Sequence, residues 1–186
     1  MKGYIYTMYA GADPGHGWVL NDPIFTPIPT LGACVPNIRR NVEKGDYIFA
    51  ISGRVPGERQ FVVGGFKVAE KIHALAAYER FPQYRVKEST AGLTIGNIIV
   101  DSDGSQSQSD HHLNFERRLD NYIVGADPKF LETNDQFDRA REGTLGVLGD
   151  VFGKHGNRVF DIVGRQRKMD AGQVQDLLGW LQAIKQ

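Results

Sequence analysis

One thiol, a pair of adjacent histidines and four groups of basic residues are the side chains best suited to chemistry. Cys34 is the only cysteine. It precedes Pro36, a residue favoured in a helix's first turn, and lies close to Arg39 and Arg40. A helix N-terminus and nearby cations both favour thiolate, which nominates Cys34 as a nucleophile. A buried structural cysteine is the commoner alternative. His111 and His112 follow an acidic stretch, and Asp110, His112 and Asp120 are of the types needed for acid–base work or metal ligation. The plainer alternative is a solvated histidine pair beside a strand. The basic groups are Arg39 with Arg40, Arg54 with Arg59, Arg117 with Arg118, and Arg165, Arg167 and Lys168. Forked guanidinium donors grip phosphates, so clusters sharing one face would hold a nucleic-acid backbone. The alternative is pairing with carboxylates, as most surface charges do.

Charge and composition bound these readings. Lys plus Arg and Asp plus Glu number 22 each, so bulk positive charge does not hold this protein to nucleic acid, although a local basic face remains open. With 186 residues, 41% hydrophobic and 24% charged, the chain is expected to form a single domain over 1–186 with its own core. One cysteine excludes an internal disulfide and suits a reducing compartment. No apolar run is long enough to span a bilayer, and the opening MKGYIYTMYAG lacks the apolar core of a secretion signal. The expected location is the cytoplasm, with no membrane partner.

Familiar catalytic signatures are absent. A phosphate-binding loop ending at Gly153-Lys154 would need Gly where Leu148 stands, and Ser or Thr where His155 stands. Ser52 lies in Ala-Ile-Ser-Gly-Arg rather than a nucleophile elbow, and there is no GxGxxG after a strand and no HExxH. No metal and no cofactor is implied.

The elements that must position these groups are β-rich, with 22 glycines marking many turns. Tyr4 to Tyr9 reads as a strand, followed by a long proline-containing connection that carries Trp18 and Phe25. Pro36 opens a short helix that Gly45 closes. Tyr47 to Ile51 and Phe61 to Ile72 read as strands joined by a turn at Pro56-Gly57, an antiparallel hairpin. Gly64-Gly65 in the second strand predicts a bulge or a close backbone approach. Further on, 73–81 and 134–142 read as helices, 93–100 and 121–125 as strands, and 101–110 as a mobile polar loop. Residues 144–157 alternate apolar residues with glycines. The last helix is the best marked. Asp170 caps it, Gln173 completes a capping box, and Val174, Leu177, Leu178, Leu181 and Ile184 form one apolar stripe flanked by Trp180. That stripe is expected on the sheet, with an intermolecular helix pair as the alternative.

The run Gly45-Asp46-Tyr47-Ile48-Phe49-Ala50-Ile51-Ser52-Gly53, then Phe61 to Glu70, resembles the centre of PUA-like domains, the group that includes PUA, ASCH, EVE and YTH. More narrowly, Thr30-Leu31-Gly32-Ala33-Cys34-Val35-Pro36-Asn37-Ile38-Arg39-Arg40 followed by Gly45-Asp46 is similar to the "TLAxCKPxIRxxAxxGDWI" pattern of the nucleotide modification associated domain 2 family. Val35 stands where that pattern has Lys. Pro23-Ile24-Phe25 resembles the family's "NPF" region. The likeness covers residues 1–72 and thins beyond.

The resemblance implies an α+β fold built on a small PUA-like mixed or antiparallel β-barrel, with flanking helices and the C-terminal amphipathic helix. It implies a noncatalytic module that binds DNA, RNA or a free nucleotide and takes a modified base into a pocket at the barrel mouth. Ser52 and Gly53 would line the rim, Trp18 or Phe25 would stack on the base, and Arg39, Arg40 and Arg54 would hold phosphates. Two alternatives stand beside it. One is an enzyme acting on a nucleotide or base through Cys34, or through His112 with Asp120. The other is an interaction component of a phage-defence or counter-defence system, docking a protein partner or a second copy through the C-terminal helix.

Overall fold

A computed structural model describes residues 1–90 and 92–186. In chain order the elements are β1 (Gly3–Thr7), β2 (Thr30–Leu31), α1 (Pro36–Asn41), β3 (Tyr47–Ile51), β4 (Val62–Ile72), α2 (Ala74–Arg80), β5 (Lys87–Glu88), β6 (Thr94–Ile95), β7 (Tyr122–Phe130), α3 (Asn134–Phe152), α4 (Val159–Val163), β8 (Gln166–Met169) and α5 (Ala171–Ile184). The fold is α+β. Six strands form a mixed sheet in the order β2-β7-β4-β3-β1-β8, while β5 and β6 form a separate pair. Strands β1 and β3 run parallel. The pairs β1–β8, β2–β7 and β3–β4 are antiparallel.

The sheet is open, which corrects the expected closed barrel. Neither outer strand has the length for a closing ladder. Strand β2 is two residues long, and at Gly32 the chain turns in so tightly that a Cβ would strike the Asn97 carbonyl and the Tyr122 ring. Strand β8 ends at Asp170, where the chain caps α5 and leaves the sheet.

The chain forms two compact units. One comprises Met1–Val19, Gly45–Lys67 and Asp127–Gln186; the other comprises Leu20–Lys44 and Val68–Ala126.

In the first unit, the Gly45-Asp46 step has a physical purpose. Gly45 takes φ 93°, a left-handed conformation that costs glycine little. Asp46 then accepts a hydrogen bond from the Lys2 backbone N–H at 2.9 Å, so the starts of β1 and β3 are tied together. The β3–β4 hairpin forms as expected, with a register shift between Ala50 and Ile51. Gly65 lies under the Phe49 ring, and Gly64 lies against Phe130, so a side chain at either position would collide. The stretch 144–157, read as apolar residues among glycines, is largely the second half of one helix, α3. Two of its glycines serve packing: Gly143 faces the Trp180 ring of α5, and Gly149 faces the His155 ring. Thr144 Oγ1 accepts from the Val62 backbone N–H at 3.0 Å and joins α3 to β4. The predicted capping box of α5 is present. Val174, Leu177 and Leu181 are fully buried, Val174 beside Gly3 of β1.

The second unit packs Ala74 and Ala77 of α2 with Phe81, Tyr84, Ile98, Val100, Tyr122 and Val124. Residues 93–100 form only the short β6 plus single bridges at Ile98 and Val100, not a full strand. The 101–110 loop is organised by turns, with Ser107 and Asp110 buried.

Candidate functional site

The first unit gathers several of the nominated residues around the loop that follows β1. Gly53 presses on this loop so closely that a Cβ would overlap the Tyr9 carbonyl, and its amide donates to the Ala12 carbonyl at 2.7 Å. One residue on, the Arg54 carbonyl accepts from the Gly11 N–H at 3.0 Å, and its side chain is exposed. Asp13, itself buried, accepts backbone N–H bonds from His16 and Trp18 on its carbonyl, and from Gly15 on its side chain. Its carboxylate also accepts two 2.9 Å contacts from Arg141 of α3. The Arg141 guanidinium lies over the Phe61 ring at 4.6 Å. This ion pair fixes the loop that presents Trp18. The Trp18 ring, half-buried, meets Tyr9 edge-on at 5.2 Å and 88°. Tyr9 is 55% exposed and Val19 56%. Tyr9, Trp18, Gly53 and Arg54 therefore share one corner.

Two residues expected there are committed elsewhere. Ser52 is buried inside the hairpin: its amide donates to the Phe61 carbonyl at 2.8 Å and its Oγ accepts the Phe61 N–H at 3.0 Å. It therefore does not form a pocket rim. Phe25 is buried in the second unit and offers no stacking face. Tyr9 was missed in the sequence because it closes a strand pattern, where an aromatic reads as core.

In the second unit, a polar network surrounds Cys34. Asp22 accepts backbone N–H bonds from Gly32 at 2.7 Å, Ala33 at 2.9 Å and Cys34. Asn97 Nδ2 donates to Asp22 at 3.0 Å and to Thr30 Oγ1 at 2.9 Å, while Tyr122 donates to Asn97 Oδ1 at 2.7 Å. Burial, then the Asp22 carboxylate, push the Cys34 thiol far above its ordinary value, and the opposing Arg118 and Arg39 charges do not offset this. Both influences favour the thiol form of Cys34 over the thiolate that a nucleophile would need. Burial likewise raises the Tyr122 phenol.

Arg39 does not lie on the surface. It is 0% exposed, and its Nε donates to the Cys34 carbonyl at 3.0 Å. Its Nη1 lies 3.2 Å from each of the Arg118, Asp120 and Asn121 carbonyls. Arg40 is exposed, and its carbonyl accepts from Lys71.

The histidine pairing differs from expectation. His112 Nδ1 lies 2.6 Å from Asp110 Oδ1, and Gln106 donates to the other Asp110 oxygen at 2.7 Å. Burial alone would raise the Asp110 carboxyl, but hydrogen bonds from His112 and Gln106 carry it below its ordinary value. Asp120 is exposed and contributes its carbonyl to Arg39. Among the described residues, no three His, Cys, Asp or Glu side chains are placed to hold a metal. None of the described helices is long and apolar enough to cross a membrane.

No family model matches the chain, and no curated protein matches it.

Proposed function

We propose that the protein is a noncatalytic module that binds nucleic acid or a nucleotide, stacking a base on the Tyr9–Trp18 corner with Arg54 beside it. The observation that supports this most directly is the edge-on Tyr9–Trp18 pair, next to the Gly53–Arg54 backbone and steadied by the buried Asp13–Arg141 contact. Aromatic faces take bases regardless of sequence, and a neighbouring guanidinium adds a phosphate grip. The resemblance of the Gly45-Asp46 strand and its β4 return to PUA-like domains supports the expectation that the base is a modified one. The raised Cys34 thiol also speaks against covalent chemistry there.

Equilibrium binding to oligonucleotides with and without base modification, and to free nucleotides, tests the reading. Stacking contributes about 1–3 kcal/mol per base, so Trp18→Ala should weaken binding roughly tenfold. Absence of binding to all of these at low salt overturns it.

A second reading, an enzyme acting on a nucleotide or base, is favoured by the His112–Asp110 contact. A buried carboxylate orienting an imidazole is a general-base arrangement. It predicts a turnover that His112→Ala abolishes while Trp18→Ala only weakens substrate binding.

A further inference from the structure

The proposed stacking corner uses neither Arg39 nor Arg118, and these two side chains pose a separate electrostatic problem. Arg118 is half-exposed; its Nε donates to the Leu113 carbonyl at 3.0 Å and its Nη1 to the Ala33 carbonyl. Arg39 donates to the adjacent carbonyl, that of Cys34, and to the carbonyl of Arg118 itself. The two guanidinium groups therefore sit side by side on consecutive carbonyls of one loop. Each keeps one nitrogen uncommitted among the described residues: Arg39 Nη2, which is buried and unpartnered, and Arg118 Nη2.

One carboxylate faces two guanidinium groups: the Asp22 charge favours the Arg39 cation, while the Arg118 charge opposes it. Asp22 is the neighbouring acid, and both its oxygens are filled, one by Gly32 and Asn97, the other by Ala33 and Cys34. Neither arginine belongs to an ion pair among the described residues. A buried guanidinium that hydrogen-bonds no carboxylate and leaves an N–H unbonded is costly. Two such forks with free N–H groups suit a tetrahedral oxyanion, whose separate oxygens can take one donor from each. Cys34, kept as a thiol, adds no competing negative charge.

We propose that the second unit binds a phosphoryl group between Arg118 Nη2 and Arg39 Nη2, approached past the half-exposed Arg118 and Cys34. The group is either inorganic phosphate or the terminal phosphate of a nucleotide. This site is independent of the Tyr9–Trp18 corner.

Calorimetric titration of the full chain at fixed ionic strength tests the proposal, with inorganic phosphate in one arm and a nucleoside 5′-monophosphate in the other. Saturable binding of one equivalent in either arm is expected, and the arm that binds more tightly names the source. Arg118→Gln should weaken it roughly tenfold or more, since a charged hydrogen-bond donor is lost. Arg117→Gln, which removes an exposed neighbouring charge, should leave it unchanged. Should Arg118→Gln fail to fold, Arg118→Lys keeps the charge without the fork and should still weaken binding severalfold. No saturable binding in either arm overturns the proposal. So does an equal loss in the Arg117 and Arg118 variants, or full affinity in Arg118→Lys. Trp18→Ala should bind phosphate like the parent, so failure of the stacking reading would be seen separately.

Discussion

Arg141 Nη2 lies 2.9 Å from each carboxylate oxygen of Asp13, a residue 128 positions earlier in the chain. The pair is nearly out of water, with side-chain exposures of 11% and 1%. Arg141 also donates to the Arg59 carbonyl, so one side chain fastens the loop after β1, the turn between β3 and β4, and α3 to one another.

Removing one partner of such a contact strands the other charge in a dry place, which costs about 3–5 kcal/mol. Arg141→Gln should lower unfolding stability by that order, measured by urea titration. Asp13→Asn should act in the same direction. If the loop is what presents Trp18, both variants should also shift Trp18 fluorescence in a Trp180→Phe background. Parent-like stability in Arg141→Gln would contradict this account of the loop.

Cys34 should resist alkylation. The thiolate is the reacting form, and burial together with Asp22 disfavours it. Iodoacetamide at neutral to mildly alkaline pH should modify the folded protein far more slowly than the denatured chain. Asp22→Asn removes the adjacent negative charge and should speed the reaction in the folded state. Equal rates for native and denatured protein would show an accessible thiolate. Cys34→Ser should leave nucleotide binding intact.

The Asp110 carboxyl sets the sign of an acid-side effect. Its folded value is lowered, so its contribution to stability is present above the ordinary carboxylate value near 4 and is lost as pH falls through the lower folded value. Removing the imidazole by His112→Ala leaves burial opposed mainly by Gln106. The acid-side slope due to Asp110 should then flatten or reverse. Unfolding midpoints in urea between pH 3 and pH 6, compared for parent and variant, read this directly; identical slopes would remove Asp110–His112 from the account.

How far the sequence revealed these features depends on how local their causes are. Helix α5 was legible because its cap, capping box and stripe lie within one stretch of chain. The β3–β4 hairpin was legible for the same reason, down to the glycines that make room for Phe49 and Phe130. Helix α3 was read only in its first half because Gly143, Gly146 and Gly149 look like turn residues. The use of Gly143 and Gly149 becomes plain only when Trp180 lies over the first and His155 over the second. Strand β8 escaped notice because Gln166, Arg167 and Lys168 are unlike strand residues; Arg167 lies over the Phe152 ring and donates to the Ile162 carbonyl. The site residues were the hardest. Arg39 looks like any surface cation, and only carbonyls from residues 118, 120 and 121 reveal it as an internal strut. Asp22 carries no pattern at all, since its partners are backbone amides ten to twelve residues away.

Strand β1 has β3 on one side and β8 on the other, and these neighbours lie at opposite reaches of the sequence. During synthesis, β1 and β3 can zip together early, while the far flank of β1 waits, with unpaired amides and carbonyls, for residues 166–169. A nascent or C-terminally clipped chain would therefore display a sticky ribbon margin, open to another polypeptide. Shortening the protein before Gln166 is thus expected to yield aggregates instead of a trimmed, working molecule.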